Sequence, residues 1–464
     1  MRILLSCVGN RDPLNREDNS EGPLVTIFAE THPDVVFLFP TDRQPENREG
    51  TINHIDTVVA HLQSIAEVRG MHIETRIYPL SVEDPTDYHA LLLEMRRVVA
   101  LAQSEVHAEN PEYIVNISSG TPQMQSCWLL LLNSGNLVAE PFQSIAPKYA
   151  TQRTRVVDTT FLEEENIIQR VRELTRLFSY GFAAQELSRL TQFARYHERS
   201  RHASYLSILL EAYHAWDLLL YEEAQSKLDT CLVDVEKYPD LANYADLIRQ
   251  QKRTLSILVN CQKRKQHQRS PEYGRDEMFT LLTDLYHSMM RRHEERRYGD
   301  ALARFWRIYE EAIFYGLKAK GIDPVSFRNS PDKRRLQLIR QKLPNLRDDK
   351  LQLMDAERVL LAISVDFKQR LESVRIRRAG GNTLVLKDAL DYLRVLRNES
   401  SVAHGLRFVN FEDSELATKS LLEVLAVFFH PRMQRESIQT EISEYSFGLL
   451  KMRTFLEEIL TRLR

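Results

Sequence analysis

The chain is expected to join an N-terminal α/β unit, built on a Rossmann-like parallel sheet, to an all-α remainder of two helical segments. Three observations predict this. The first 150 residues alternate between strand-like and helix-like runs, the pattern of a parallel sheet covered on both faces. From Ala150 to Ser270 there is one glycine, Gly181, and one proline, Pro239, while apolar residues recur at helical spacing, as in Tyr205, Leu206, Leu209, Leu210 and Tyr213. A charged stretch over residues 262–275 then leads into a second helical region, interrupted at Gly321–Pro324, Pro344, Gly380–Gly381 and Pro431.

In the first unit the continuous apolar run at residues 2–8 predicts a buried first strand. Residues 34–40, 72–80, 113–117 and 137–145 predict four more. Helical patterns at residues 24–31, 51–69, 88–107 and 122–133 lie between them. The expected organisation is a ligand-sensor domain over residues 1–150, a helical linker domain over 151–275 and a second helical domain over 276–464.

Bulk properties narrow the function classes. The net charge of −3 argues against non-specific coating of nucleic acid. Arginine outnumbers lysine 47 to 15, which suits planar phosphate contacts as well as it suits a GC-rich genome. Between Arg291 and Arg347, fifteen Arg and Lys face seven Asp and Glu, which marks a candidate phosphate-facing surface or a solvated helix face. The four cysteines, at 7, 127, 231 and 261, form no Cys-x-x-Cys pair, so neither a disulfide framework nor a zinc site is indicated. No run approaches about 18 apolar residues, so no membrane span is expected and a reducing cytoplasm is the expected location.

Two constellations carry candidate chemistry. The turns after the first and fourth strands read Cys7-Val8-Gly9-Asn10-Arg11-Asp12-Pro13 and Asn116-Ile117-Ser118-Ser119-Gly120-Thr121-Pro122-Gln123-Met124. Both fall where a Rossmann-like sheet places its ligand crevice. Ser118, Ser119 and Thr121 offer hydroxyls, Gly120 admits close approach, and Pro122 fits the first helical position. Amides at that helix start suit a phosphate or a base edge. An ordinary capped helix would use the same residue types. Neither Gly-x-Gly-x-x-Gly nor a Walker lysine is present, which argues against a dinucleotide dehydrogenase or an NTPase.

The second constellation is Arg397-Asn398-Glu399-Ser400-Ser401-Val402-Ala403-His404-Gly405. Leu386, Ala389, Leu390, Leu393 and Leu396 mark an apolar stripe, and Arg397 falls at its edge. If the helix runs on to Gly405 as its C′ residue, Arg397 and His404 share one face, roughly 10 Å apart along the axis. A protonated His in the last turn, beside an Arg and an Asn, can bind a phosphodiester and move a proton. A surface His near a salt-bridged Arg is the plain alternative. His287 and His293, beside Arg291 and Arg292, are expected on a solvated helix without a catalytic role.

The ordering of an Asn-x-Ser-Ser-Gly-Thr-Pro-Gln-Met turn, a helical middle and a late Arg-Asn-x5-His resembles the CARF–HEPN ribonucleases of type III CRISPR systems. That resemblance covers essentially the whole chain. It implies a homodimer that cuts single-stranded RNA without a metal when cyclic oligoadenylate binds, with four adenylates expected over six. It also implies that Gly9, Asn10, Ser118, Ser119, Gly120, Thr121 and Gln123 line the activator pocket. Arg397, Asn398 and His404 of both subunits would then form one composite site in a HEPN-like C-terminal domain, with no cofactor. The main rival is a CARF-type sensor that regulates transcription or a partner without catalysis; it leaves Arg397 and His404 unexplained. A small-molecule enzyme built on the sheet would need its acid or base in the sheet's loops, and the clearest proton-transfer candidate lies elsewhere.

Overall fold

The structure, a computed structural model, describes residues 1–15, 18–42, 50–146, 148–193, 197–346, 349–378, 381–400, 405–430 and 435–462. It falls into two compact units, Met1–Glu165 and Asn166–Arg464. The first therefore extends past residue 150.

Six strands make the sheet of the first unit: β1 (Arg2–Cys7), β2 (Val35–Phe39), β3 (Glu74–Ile77), β4 (Glu112–Asn116), β5 (Glu140–Ser144) and β6 (Thr154–Val156). Their order is β3-β2-β1-β4-β5-β6. The first five are mutually parallel, and β6 pairs antiparallel with β5. The crossovers are α1 (Pro23–Thr31), α2 (Ile55–Val68), α3 (Tyr88–Ser104) and α4 (Pro122–Asn133). β1 is buried on both faces: Ile3, Leu5 and Cys7 join one core with α3 and α4, while Leu4 and Val8 join another with α1 and α2. This is why β1 reads as an unbroken apolar run. Strand order reverses between β1 and β4, so the carboxyl ends of these two strands form the switch point.

The second unit is helical. Its first group is α5 (Thr160–Arg176, which begins in the first unit), α6 (Tyr180–Phe193), α7 (His197–Asp217), α8 (Tyr221–Lys237) and α9 (Ala245–His267). The second group is α10 (Arg275–Glu294), α11 (Tyr298–Lys318), α12 (Lys333–Lys342), α13 (Leu353–Ile363), α14 (Val365–Ser373), α15 (Leu386–Glu399), α16 (Phe411–Phe429), α17 (Arg435–Ser443) and α18 (Leu449–Arg462). A short hairpin, β7 (Arg375–Arg377) with β8 (Thr383–Val385), precedes α15. One core runs from Met278 to Ile442. The other spans α5 to α9 and also takes in Phe447, Met452, Leu456 and Leu460. The C-terminal helix thus completes the core of the middle segment.

Polar residues join the two helical groups. Asp284 on α10 is fully buried and accepts hydrogen bonds from Trp216 Nε1, Tyr221 Oη and Tyr445 Oη, each at 2.8 Å. Asp217, also buried, accepts from Arg291 Nε at 2.6 Å and pairs with Arg292. His287 and Arg291, expected on a solvated face, are buried instead; a partly buried His293 contacts Ser414 Oγ at 2.9 Å. The surplus of arginine near residue 291 is correspondingly reduced as a surface feature.

His287 Nε2 lies 2.8 Å from the Ile442 carbonyl, and Leu449 N donates to Nδ1 at 3.4 Å. This assigns the proton to Nε2 and leaves no acceptor for a second one. Burial, helped by the Arg291 cation and opposed by the Ile442 hydrogen bond, pushes the imidazole down from 6.5 to about 4. Between those values the unfolded chain binds a proton that the native chain refuses, so stability present above pH 6.5 is lost as pH falls toward 4. We expect the melting temperature of the full chain to fall over this window, and to fall less steeply in His287→Gln. Thermal unfolding of both proteins from pH 7 to 5 checks this; parallel curves would exclude His287 as the source.

Candidate functional site

The first candidate site is a cavity of about 520 Å3 at the β1–β4 switch point. Gly9, Asn10, Ser118, Ser119, Gly120 and Thr121 line it, as do Arg11, Asp12, Thr41, Thr51 and Gln125. Gly120 has φ +89°, and a Cβ there would fall 2.6 Å from Met124 Sδ. A Cβ on Gly9 would fall 2.9 Å from the Gly120 amide nitrogen. The two turns are packed backbone against backbone, which only glycine permits at both positions.

The hydroxyls expected to face a ligand already have partners. Asn116 Nδ2 donates to Ser119 Oγ and to Ser6 Oγ, each at 2.9 Å, and all three residues are buried. Ser118 Oγ accepts from the Ser144 amide at 2.9 Å, joining the turn to β5. Thr121 is the N-cap of α4: its Oγ1 accepts from Met124 N at 3.2 Å and donates to the Pro85 carbonyl at 3.1 Å. These side chains shape the turn, while Asn10 and Arg11 are exposed at the cavity.

Gln123 is not among the residues lining the cavity; Gln125 is, donating from Nε2 to the Ser118 carbonyl at 3.1 Å. Residues two apart on a helix point about 200° apart, so only one of the pair can face the cavity. Asp12 was visible in the sequence only as part of a turn. It is buried, with Oδ2 accepting from Gly9 N and Oδ1 from Leu24 N, both at 3.0 Å. It therefore ties the first turn to the start of α1. Burial pushes its carboxyl above the usual range, against the lowering effect of those two hydrogen bonds.

The second candidate site is the C-terminal end of α15. Leu386, Ala389, Leu390, Leu393 and Leu396 are buried as the periodicity predicts, and Arg397 and Asn398 are exposed. The Arg397 guanidinium lies 5.7 Å from the Trp306 ring centroid. Arg394 lies 5.9 Å from the same ring and is paired with Glu357 at 2.7 Å and Asp391 at 2.5 Å. Arg397 has no carboxylate partner among the described residues. Trp306, on α11, carried no sequence signal because it is about ninety positions away from Arg397.

The helix does not run through to Gly405. It ends at Glu399: Ser400 is extended, its amide bonds the Leu396 carbonyl, and its Oγ bonds the Arg397 carbonyl at 3.0 Å. Serine competes for backbone carbonyls in this way and favours helix ends. Beyond it, Gly405 N donates to the Ser400 carbonyl at 3.0 Å and Arg407 N to the Glu399 carbonyl at 2.9 Å. A Cβ on Gly405 would lie 1.8 Å from that Glu399 oxygen. Gly405 is thus required by close approach to the helix end, not as a left-handed cap. His404 falls at 401–404, outside the described residues.

Comparison with known proteins places this region. Residues 271–427 match the Csm6 HEPN domain. That range covers α10 to α15 and nearly all of α16, including Trp306, Arg397 and Asn398. Among solved structures, Enterococcus italicus Csm6 bound to cyclic hexa-2'-fluoro-hexa-dAMP is similar in fold, with a TM-score of 0.57 and 17% identity over 100% of both chains. No curated protein matches the sequence. No helix among the described residues is long and apolar enough to cross a membrane.

Thr121→Ala should lower the stability of the first unit by about 1 kcal/mol, the usual cost of losing an N-cap. Thr121→Ser should restore it. Denaturant titration of the full chain, followed in the first unit by hydrogen exchange on α4, checks this. Equal protection in wild type and Thr121→Ala would remove Thr121 as the organiser of that turn.

Proposed function

We propose that the protein is a metal-independent endoribonuclease for single-stranded RNA in CRISPR antiviral defence, switched on by cyclic oligoadenylate bound in the N-terminal unit. The observation that carries this reading is the match of residues 271–427 to the Csm6 HEPN domain, with an exposed Arg397-Asn398 pair at a helix end within it. The cavity at the β1–β4 switch point supports the activator half: glycine-packed turns and the N-terminus of α4 offer amides to a phosphodiester ring. The Enterococcus italicus Csm6 structure holds a cyclic hexa-adenylate analogue, whereas the ring expected here has four adenylates, a size that the sequence itself does not set; a screen with rings of three, four and six decides between them.

In this mechanism Arg397 holds the scissile phosphate and stabilises charge on it. His404 moves the proton as a ribose 2′-OH attacks that phosphate and the 5′-oxygen leaves. The products are a 2′,3′-cyclic phosphate and a 5′-hydroxyl. Two copies meeting on the same patch bring both Arg397 and both His404 side chains to one site, so the active species is a homodimer. A cytoplasmic location follows from the RNA substrate.

Cleavage of a fluorogenic single-stranded RNA in EDTA, with and without each cyclic adenylate, tests the reading. Activity should survive the chelator and require one of the rings. His404→Ala and Arg397→Ala should each lose at least about 10²-fold, the usual scale for removing a general acid or base, and still bind the ring. Dependence on Mg²⁺ or Mn²⁺, 5′-phosphate products or full activity in His404→Ala would overturn it. Wild type mixed with His404→Ala should fall below simple dilution once subunits exchange, because a mixed dimer has a damaged shared site.

A further inference from the structure

The β7–β8 hairpin carries charge that the catalytic reading leaves unused. Its first strand reads Arg375-Ile376-Arg377, followed by Arg378. Ile376 is buried in the helical core, and Arg375 and Arg377 are both exposed. Alternation puts these two side chains on the same face, about 7 Å apart along the strand. The strand is held in place from behind: Lys419 Nζ donates to the Arg377 carbonyl at 3.1 Å and pairs with Glu415 at 3.0 Å. Neither Arg375 nor Arg377 has a carboxylate within ion-pair distance among the described residues.

The hairpin connects to the end of α15 through one aromatic ring. Arg378 lies 4.8 Å over Tyr392 and 3.8 Å from Asp413. Arg407 lies 5.6 Å from the same ring and pairs with Glu399 at 2.7 Å. Arg378 and Arg407 are therefore neutralised and serve as struts. Tyr392 precedes Arg397 by five residues, about 7.5 Å along the helix axis and about 140° around it. Among the described residues, Arg375, Arg377 and Arg397 have no carboxylate partner.

We propose that Arg375 and Arg377 bind two backbone phosphates of the substrate RNA beside the scissile one, so that the hairpin is a substrate-binding edge of the HEPN domain. This rests on the ribonuclease reading. Two guanidinium groups on alternate residues of a fixed strand present planar, bidentate donors at regular spacing. Contacts of this kind give affinity without base preference and scale with salt.

The test uses the full chain and a fluorescein-labelled single-stranded RNA in which every sugar is 2′-O-methyl, so that it binds without being cut. Anisotropy is measured from 50 to 200 mM KCl, with the activating cyclic adenylate present. Each phosphate contact on a single strand contributes about 0.7 to the slope of log affinity against log salt, so Arg375→Gln/Arg377→Gln should reduce the slope by about 1.4. The variant should bind more weakly at 50 mM, and the difference should shrink about sevenfold by 200 mM. Arg375→Lys/Arg377→Lys should recover most of the slope. If wild type binds this RNA and the Gln variant shows the same slope and affinity, the hairpin is not a binding edge. If wild type binds no RNA under any cyclic adenylate, the ribonuclease reading itself fails.

Discussion

The second unit depends on a buried charge cluster around α10. Asp217, Asp284, Arg291 and Arg292 are all removed from water, at a desolvation cost that only close pairing and full hydrogen bonding can offset. Asp284 is answered by three donors and Asp217 by two guanidinium groups. Those donors come from α7, α8, α10 and the segment before α18. The Arg291 guanidinium also lies 4.5 Å over the Phe447 ring, which in turn stacks on Trp216 at 4.3 Å. An apolar core tolerates sliding of one helix on another; this cluster does not, because removal of any one member leaves a buried group without its partner. The middle helices are thus the other half of the support for α10 rather than a tether beside it.

From α10 the constraint reaches the candidate catalytic helix in two steps. α10 packs on α11 in the same core, and α11 carries Trp306, whose ring lies under Arg397 and Arg394. Arg394 is anchored to Glu357 and Asp391, whereas Arg397 over the same ring has no carboxylate partner among the described residues. An indole face attracts a guanidinium without neutralising it. Arg397 is oriented and still carries its full charge toward solvent, which a carboxylate partner would have cancelled.

Much of this was legible in the sequence, for a physical reason in each case. The strand cores and α4, predicted at residues 122–133 and found as Pro122–Asn133, follow from period and from Thr-Pro capping chemistry, both local properties. β6 escaped because Thr154–Val156 is short and polar at the sheet edge. His287 and Arg291 escaped because a polar stripe on an amphipathic helix ordinarily means water. On α10 the opposite stripe, with Met278, Leu282 and Met289, is buried too, and only a carboxylate from 74 positions upstream reveals the polar stripe as internal. The return of α18 to the middle core is likewise non-local. At the switch point the sequence located both turns, and Ser118, Ser119 and Thr121 both line the cavity and hydrogen-bond within the protein, which no local pattern shows. At α15 it read Gly405 as a left-handed cap, because a tight return onto a helix end asks for the same residue.

The two candidate sites use opposite ends of helices. At α4 the positive end of the dipole lies at the cavity, where Pro122 has no N–H and Met124 N and Gln125 N are bonded to the Thr121 hydroxyl and carbonyl. Ser118, Ser119 and Thr121 are hydrogen-bonded to Ser144, Asn116 and Pro85, and Asn10 and Arg11 are exposed at the cavity. At α15 the negative end of the dipole gathers cations instead: Arg397 lies in its last turn, and Arg407 returns to pair with Glu399.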